Sequence, residues 1–293
     1  MRCHDDGRRL LVKAALRAAA RSDTGLVRHN NEDAAYAGPR LVALADGMGG
    51  PAAGEVASQF VVFALATLDE DDPETDLTVA LTEAMNRGNE AIAGYVAAHP
   101  DLAGMGCTLT ALLCDGNRLA VLNVGDSRAY LLRGGKLTQL TRDDSVVQHL
   151  IDEGTLSPNS ARSHPQRSVI LKALTGDPVE PATAVREVRV GDRYLLCSDG
   201  LSDPTSFETI AQTLAEGTPE ESADRLLELA LRSGGPDNIT LVVADVVDGA
   251  ESSSEPTLVG AASGESTPEH SPDTAAGRAA ALTRDQSAVT HRH

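Results

Sequence analysis

Apolar positions recur along this chain with two different periods. In residues 76–98, Leu77, Leu81, Met85, Ile92 and Val96 lie at spacings that suit one helix face, and Asp76 stands where an N-cap belongs. Residues 53–68 also have helical length and composition. Tyr36 and residues 41–45 read as strand. Past residue 106 the period shortens. Residues 107–114, 118–124, 129–133 and 136–140 are short runs separated by Asp115-Gly116, Gly125-Asp126 and Gly134-Gly135, which predicts an antiparallel meander. Residues 145–153 and 167–174 predict short helices around a polar segment. Residues 193–197 read as strand, 207–215 and 220–232 as helices, and 239–247 as a closing strand. The Ala-rich residues 10–20 suit either a first strand or a short helix.

The runs 119–124 and 239–246 are apolar at successive positions, so both faces of those strands must be covered. Two antiparallel sheets packed together with helices outside would cover every face. The predicted fold class is α+β, an αββα sandwich.

Composition changes near residue 249. Residues 251–293 contain no aromatic residue and much Ser, Thr, Ala, Gly and Pro. Such a segment buries too little surface to offset its ordering entropy, which predicts a disordered tail behind one domain spanning residues 1–250. The chain of 293 residues carries 25 basic and 43 acidic residues, a net charge of −18. That disfavours a non-specific grip on nucleic acid or on anionic membrane surfaces. No uncharged apolar run reaches the roughly 18 residues of a membrane span, and the first 21 residues lack a secretory apolar core. Cys3, Cys107, Cys114 and Cys197 form no CxxC pair, so reduced thiols and a cytoplasmic location are expected. Cys107 and Cys114 fit equally as core residues or as oxidation-sensitive ones.

The placement of the acids is the informative feature. Asp46, Asp126 and Asp199 directly follow strand-like runs or lie within two residues of them, and Asp237 precedes one; each stands beside Gly or Asn. Singly, each suits a turn. Together, carboxylates at one sheet edge repel unless a cation joins them. Carboxylates and backbone carbonyls select a hard ion such as Mg2+ or Mn2+, and the histidines lack zinc spacing. Gly47 leaves the backbone open to close approach. Upstream, Arg28, Glu32 and Asp33 read either as a solvated polar loop or as a phosphate-binding fork beside acids that hold water.

The ordered segments Arg28-x3-Glu32-Asp33, Ala45-Asp46-Gly47-Met48-Gly49-Gly50, Gly106-Cys107-Thr108, Asn123-Val124-Gly125-Asp126-Ser127-Arg128, Ser198-Asp199-Gly200-Leu201 and Asp237-Asn238-Ile239-Thr240 resemble the metal-dependent protein phosphatases of type 2C. Met48 and the stretch 163–167 resemble the bacterial branch, phosphoserine/phosphothreonine phosphatases that oppose eukaryotic-like kinases. The resemblance implies two Mn2+ or Mg2+ ions bridged by Asp46, with Asp199 and Asp237 on one and the Gly47 carbonyl on the other. Glu32 and Asp33 would act through coordinated water, and Arg28 would clamp phosphate. Asp126 and Asp199, with the Ser168 backbone, would hold a third ion. The implied reaction is in-line attack on phosphorus by the hydroxide bridging the ions, without a phosphoenzyme. Phosphorylated proteins, including such kinases, are the implied partners, and a monomer is expected.

Met48 departs from eukaryotic members, where a His there is thought to protonate the leaving alkoxide; a metal-coordinated water is expected to do so here. Substrate choice is expected from residues 145–168. Two other enzyme readings compete. Gly47-x-Gly49-x-x-Ala52 with Asp69 mimics a dinucleotide fingerprint, and Gly125-Asp126-Ser127 mimics a nucleophile turn. A third reading, a dead phosphatase fold acting as a binding partner, would be expected to lack a ligand acid, and Asp46, Asp199 and Asp237 are all present.

Overall fold

The computed structural model describes residues 14–49, 53–69, 76–161, 163–249 and 255–263. In chain order its strands are β1 (Ala14–Asp23), β2 (Ala34–Ala37), β3 (Leu41–Ala45), β4 (Gly47–Met48), β5 (Gly106–Cys107), β6 (Leu109–Asp115), β7 (Arg118–Val124), β8 (Arg128–Arg133), β9 (Lys136–Gln139), β10 (Ala182–Glu187), β11 (Arg193–Cys197), β12 (Ile239–Asp248) and β13 (Thr257–Gly260). The helices are α1 (Ala53–Ala66), α2 (Leu77–Ala98), α3 (Val146–Asp152), α4 (Pro158–Ala161), α5 (Asp199–Ser202), α6 (Phe207–Leu214) and α7 (Pro219–Arg232). The Ala-rich start is strand: β1 pairs with β12 along its whole length.

Two antiparallel sheets form, one in the order β1-β12-β11-β8-β9 and the other β10-β7-β6-β3-β2-β13, with a small β4-β5 ladder beside them. Between the sheets pack Leu16, Ala35, Val42, Leu112, Tyr194 and Val242 with other small residues. With few aromatics in the chain, Ala, Val and Leu do fill this layer. Helices α1 and α2 cover the outer face of the six-stranded sheet through Val61, Leu65, Leu81, Met85 and Ile92. Helices α6 and α7 cover the other sheet through Ile210, Leu214, Leu226 and Ala230. The expected αββα sandwich is therefore the architecture. Asp76 caps α2 as its position predicted, accepting bonds from the amides of Thr78 and Val79.

Four expectations change. The central meander is two hairpins in different sheets, β6-β7 in one and β8-β9 in the other. The chain crosses at residues 125–127, where Asn123 donates to the Gly125 carbonyl and Thr110 to the Ser127 carbonyl. Residues 167–174 are not a helix; they run through turns into single bridges from Ile170 to Ser145 and from Leu174 to Cys107. Strand β10 was not predicted: all six residues are exposed, so no apolar alternation marks it. The 250 boundary also moves. Strand β13 pairs with β2, and Ala261 and Ala262 are buried, so residues 257–262 join the fold rather than a disordered tail. Residues 1–13, which include Cys3, and 264–293 lie outside the described residues.

Candidate metal centre

The strand register brings the acids to one edge. Ala45 of β3 opposes Ala34 of β2, Val124 of β7 opposes Leu109 of β6, and Cys197 of β11 opposes both Arg128 of β8 and Leu241 of β12. Asp46, Asp126 and Asp199 follow β3, β7 and β11, while Asp33 and Asp237 precede β2 and β12. Antiparallel pairing thus sets the ends of some strands beside the beginnings of others.

Burial and mutual repulsion mark this cluster. Burial pushes the Asp46 carboxyl well above its ordinary range, and Asp33, Asp199, Asp126 and Asp237 push it further. Asp199 is raised in the same way, by burial and then by Asp126, Asp203, Asp237 and Asp33. Asp126 is pushed up to about 6, by burial and then by Asp143. Asp33 is raised by burial, partly offset by hydrogen bonds from Ser198 and Thr240. Its second carboxylate oxygen is buried with no hydrogen-bond partner. Burial also raises Glu32.

These acids fit a hard divalent cation, which would relieve the repulsion and satisfy the orphaned Asp33 oxygen. Gly47 fits as well: a Cβ there would overlap the carbonyl oxygens of Glu32 and Gly54. Among the described residues no three acid, imidazole or thiol groups already stand as a coordination set. Like charges gain nothing by converging further on their own, and Asp237 is turned toward Arg28, whose Nη2 donates to its Oδ2 at 2.7 Å. Arg28 stays half exposed, beside the acids and open to a ligand.

Some of the supporting residues carried no predicted role. Asn238 accepts from the Glu32 amide at 2.9 Å and donates to the carbonyls of Thr24 and Asn30, locking the Arg28 loop to the Asp237 loop. Thr108 holds Asp46: its hydroxyl accepts from the Asp46 amide at 3.1 Å, and its own amide donates to the Asp46 carbonyl. Asp203 adds to the acidic field; its signal was the i, i+4 spacing from Asp199. A narrow cleft of about 60 Å³ beside Asp126 and Asp199 is also lined by Asp203, Arg128, Asp143 and Arg167. Ser168 lies in an exposed turn and does not line that cleft.

The competing enzyme readings lose their key residues. Asp69 accepts from Tyr36 Oη and from the amides of Arg40 and Leu41, so it serves the fold rather than a ribose. Ser127 is fully buried and bonded to Thr108, out of reach as a nucleophile. Cys107 is buried with its thiol pushed up by desolvation, and Cys114 is pushed up to about 12, so both behave as core residues. Among the described residues no helix is long and apolar enough to cross a membrane.

Residues 27–232 match the protein phosphatase 2C family. The chain is 60% identical over 278 residues to the serine/threonine protein phosphatase PstP of Mycobacterium tuberculosis, covering 95% of this chain and 54% of that protein. It thus spans about half the length of the curated relatives it matches there. The serine/threonine phosphatase stp of Listeria monocytogenes is 37% identical over 247 residues, covering 78% of this chain and 96% of its own. Among solved structures, the catalytic domain of PstP in complex with two manganese ions superposes with a TM-score of 0.77 at 62% identity, covering 80% of this chain and all of that one.

Proposed function

The chain belongs to the protein phosphatase 2C family, and on that premise we propose that it is a metal-dependent serine/threonine protein phosphatase acting on phosphoserine and phosphothreonine. The observation that carries this reading is the gathering of Asp33, Asp46, Asp126 and Asp199 at one sheet edge beside Arg28, with their charges mutually unfavourable. Asp46, Asp199 and Asp237 with the Gly47 carbonyl are the proposed holders of two Mn2+ or Mg2+ ions. Asp126 and Asp199 are the proposed holders of a third, without the Ser168 backbone, which does not line their cleft. When bound, the ions would supply a nucleophile from water near neutral pH and neutralise phosphate charge.

The chain's own residues do the rest. Arg28 presents a guanidinium that can fork two phosphate oxygens, and its ion pair with Asp237 holds it at the mouth of the site. Glu32 and Asp33 accept hydrogen bonds from water and orient it. Thr108 and Asn238 fix the backbones of Asp46 and Glu32 so that these carboxylates need no reorganisation. Met48 offers no proton to the leaving oxygen and His29 is exposed in the Arg28 loop, so solvent on the ligand acids is the proposed proton source. Phosphorylated proteins, eukaryotic-like kinases among them, are the proposed substrates, selected by contacts in residues 145–168. A cytoplasmic monomer is proposed.

Turnover of p-nitrophenyl phosphate and of a phosphothreonine peptide, with and without Mn2+, tests the assignment. Turnover should depend on metal in the wild type and vanish in Asp46→Asn. Metal-independent turnover, or none with Mn2+ present, would overturn it.

A further inference from the structure

Strand β13 lies beyond the 27–232 span that matches the family, yet it ends on a residue of the candidate metal centre. Gly260 opposes Ala34, and the next residue, Ala261, donates its amide to the Asp33 carbonyl at 2.7 Å. Helix α1 secures the same residue from the other side, because Gln59 Nε2 donates to the Ala261 carbonyl at 2.6 Å. Ala261 and Ala262 are buried. Gly260 has a φ of +67°, and a Cβ there would overlap the Asp33 carbonyl and come within 2.8 Å of Ser22 Oγ. That hydroxyl bonds Thr240 and accepts from Asn31, the residue whose side chain receives the Asp33 amide. The Asp33 backbone is therefore held at its amide by Asn31 and at its carbonyl by residue 261.

We propose that residues 257–262 are a positioning segment for Asp33. Docked, they hold its backbone so that the partnerless carboxylate oxygen is aimed into the ion site, where it accepts a hydrogen bond from water there; undocked, that preorganisation is lost and ion affinity falls. As an edge strand, β13 can detach without opening the sheet behind it. The inference rests on the metal-dependent reading above.

The test uses the full chain and Mn2+ alone. Gly260→Val disfavours the left-handed backbone and crowds the Asp33 carbonyl. Gln59→Leu removes one bond at similar volume and serves if the first variant folds poorly. Calorimetric titration should show Mn2+ bound about tenfold or more weakly, the usual size of an outer-shell loss. Amides of residues 33–37 should exchange faster, while kcat at saturating Mn2+ recovers. Leu137→Ala, in β9 of the other sheet, should lower melting temperature without moving Mn2+ affinity. A variant whose β13 amides exchange freely yet binds Mn2+ like the wild type would overturn the proposal. A wild type that takes up no Mn2+ would instead sink the metal reading, and this inference with it.

Discussion

Two ends of the same pair of sheets bury carboxylates, and they treat them in opposite ways. At one end Asp192 accepts Nε and Nη2 of Arg133, each at 2.6 Å, and Asp245 accepts the same two groups of Arg193 at 2.6 and 2.8 Å. Arg193 also donates to the carbonyls of Leu214 and Gly217, so its fork ties β11, β12 and the α6–α7 connection together. At the other end Asp33 and Asp126 are buried beside the partly buried Asp46 and Asp199, while Arg28, whose charge also reaches Glu32 and Asp199, is hydrogen-bonded to Asp237. A buried carboxylate neutralised by a bidentate Arg is a structural device. A group of them that burial and neighbours push toward protonation is held in readiness for a charge from outside.

The sharpest way to break this contrast is to remove one acid from each end. Asp199→Asn should lower Mn2+-dependent turnover roughly 10³-fold or more, since several kcal/mol of transition-state stabilisation are lost at about 1.4 kcal/mol per decade. The same change should raise the melting temperature in chelator, because a repelled charge has gone. Arg133→Met, at the far end, strands Asp192 in the interior and should lower unfolding free energy by about 3 kcal/mol. Its Mn2+ affinity should stay at the wild-type value. Loss of stability in Asp199→Asn with chelator present would erase the distinction between the two ends.

How far the contrast could be read from residues alone depends on what kind of signal each part left. The acids were legible because antiparallel strands put their ends at a common edge, and Asp46, Asp126 and Asp199 follow runs that only strands explain. Helix α2 was legible from its apolar face and its Asp76 cap. The sheet crossing at Gly125 was not, because Gly-Asp after a strand looks the same in a hairpin as in a passage between sheets; the choice is made by distant packing. Strand β13 hid in Ser- and Pro-rich surroundings, since four residues at an edge need only a partner, not an apolar period. Asn238 and Thr108 stood inside quoted segments, but their roles depend on loop geometry that no spacing encodes.

Acidity offers a second way to sharpen the comparison. Burial, and then the charge of Asp143, push the Asp126 carboxyl up to about 6 in the folded chain, against roughly 3.9 when unfolded. Between those values the folded state binds more protons, so unfolding free energy falls as pH rises from about 4 to 6 and then levels. By this group alone the chelated protein should be more stable below pH 4 than at pH 7, by on the order of 2–3 kcal/mol. Asp126→Asn should remove that part of the slope, read as melting temperature against pH in chelator. Metal reverses the sign, because protons compete for the same oxygens and Mn2+ binding weakens as pH falls through 6. Parallel pH curves for the variant and the wild type would mean that Asp126 is not one of the strained acids.

The smallest effect concerns Arg28, the cation that the site end does possess. Its guanidinium holds Asp237, yet Asp237 is a proposed metal ligand, so Arg28 and the ion compete for one carboxylate. The pair is partly exposed, which limits its worth to roughly 0–1 kcal/mol. Arg28→Ala should therefore tighten Mn2+ binding by about two- to fivefold at most, even as turnover of phosphopeptides falls through loss of the phosphate fork. Calorimetry on the metal and steady-state kinetics on the peptide separate the two effects. If Mn2+ affinity fell with turnover, Arg28 would be supporting the acid cluster in the manner of Arg133 and Arg193, and the two ends of the sheets would no longer differ in kind.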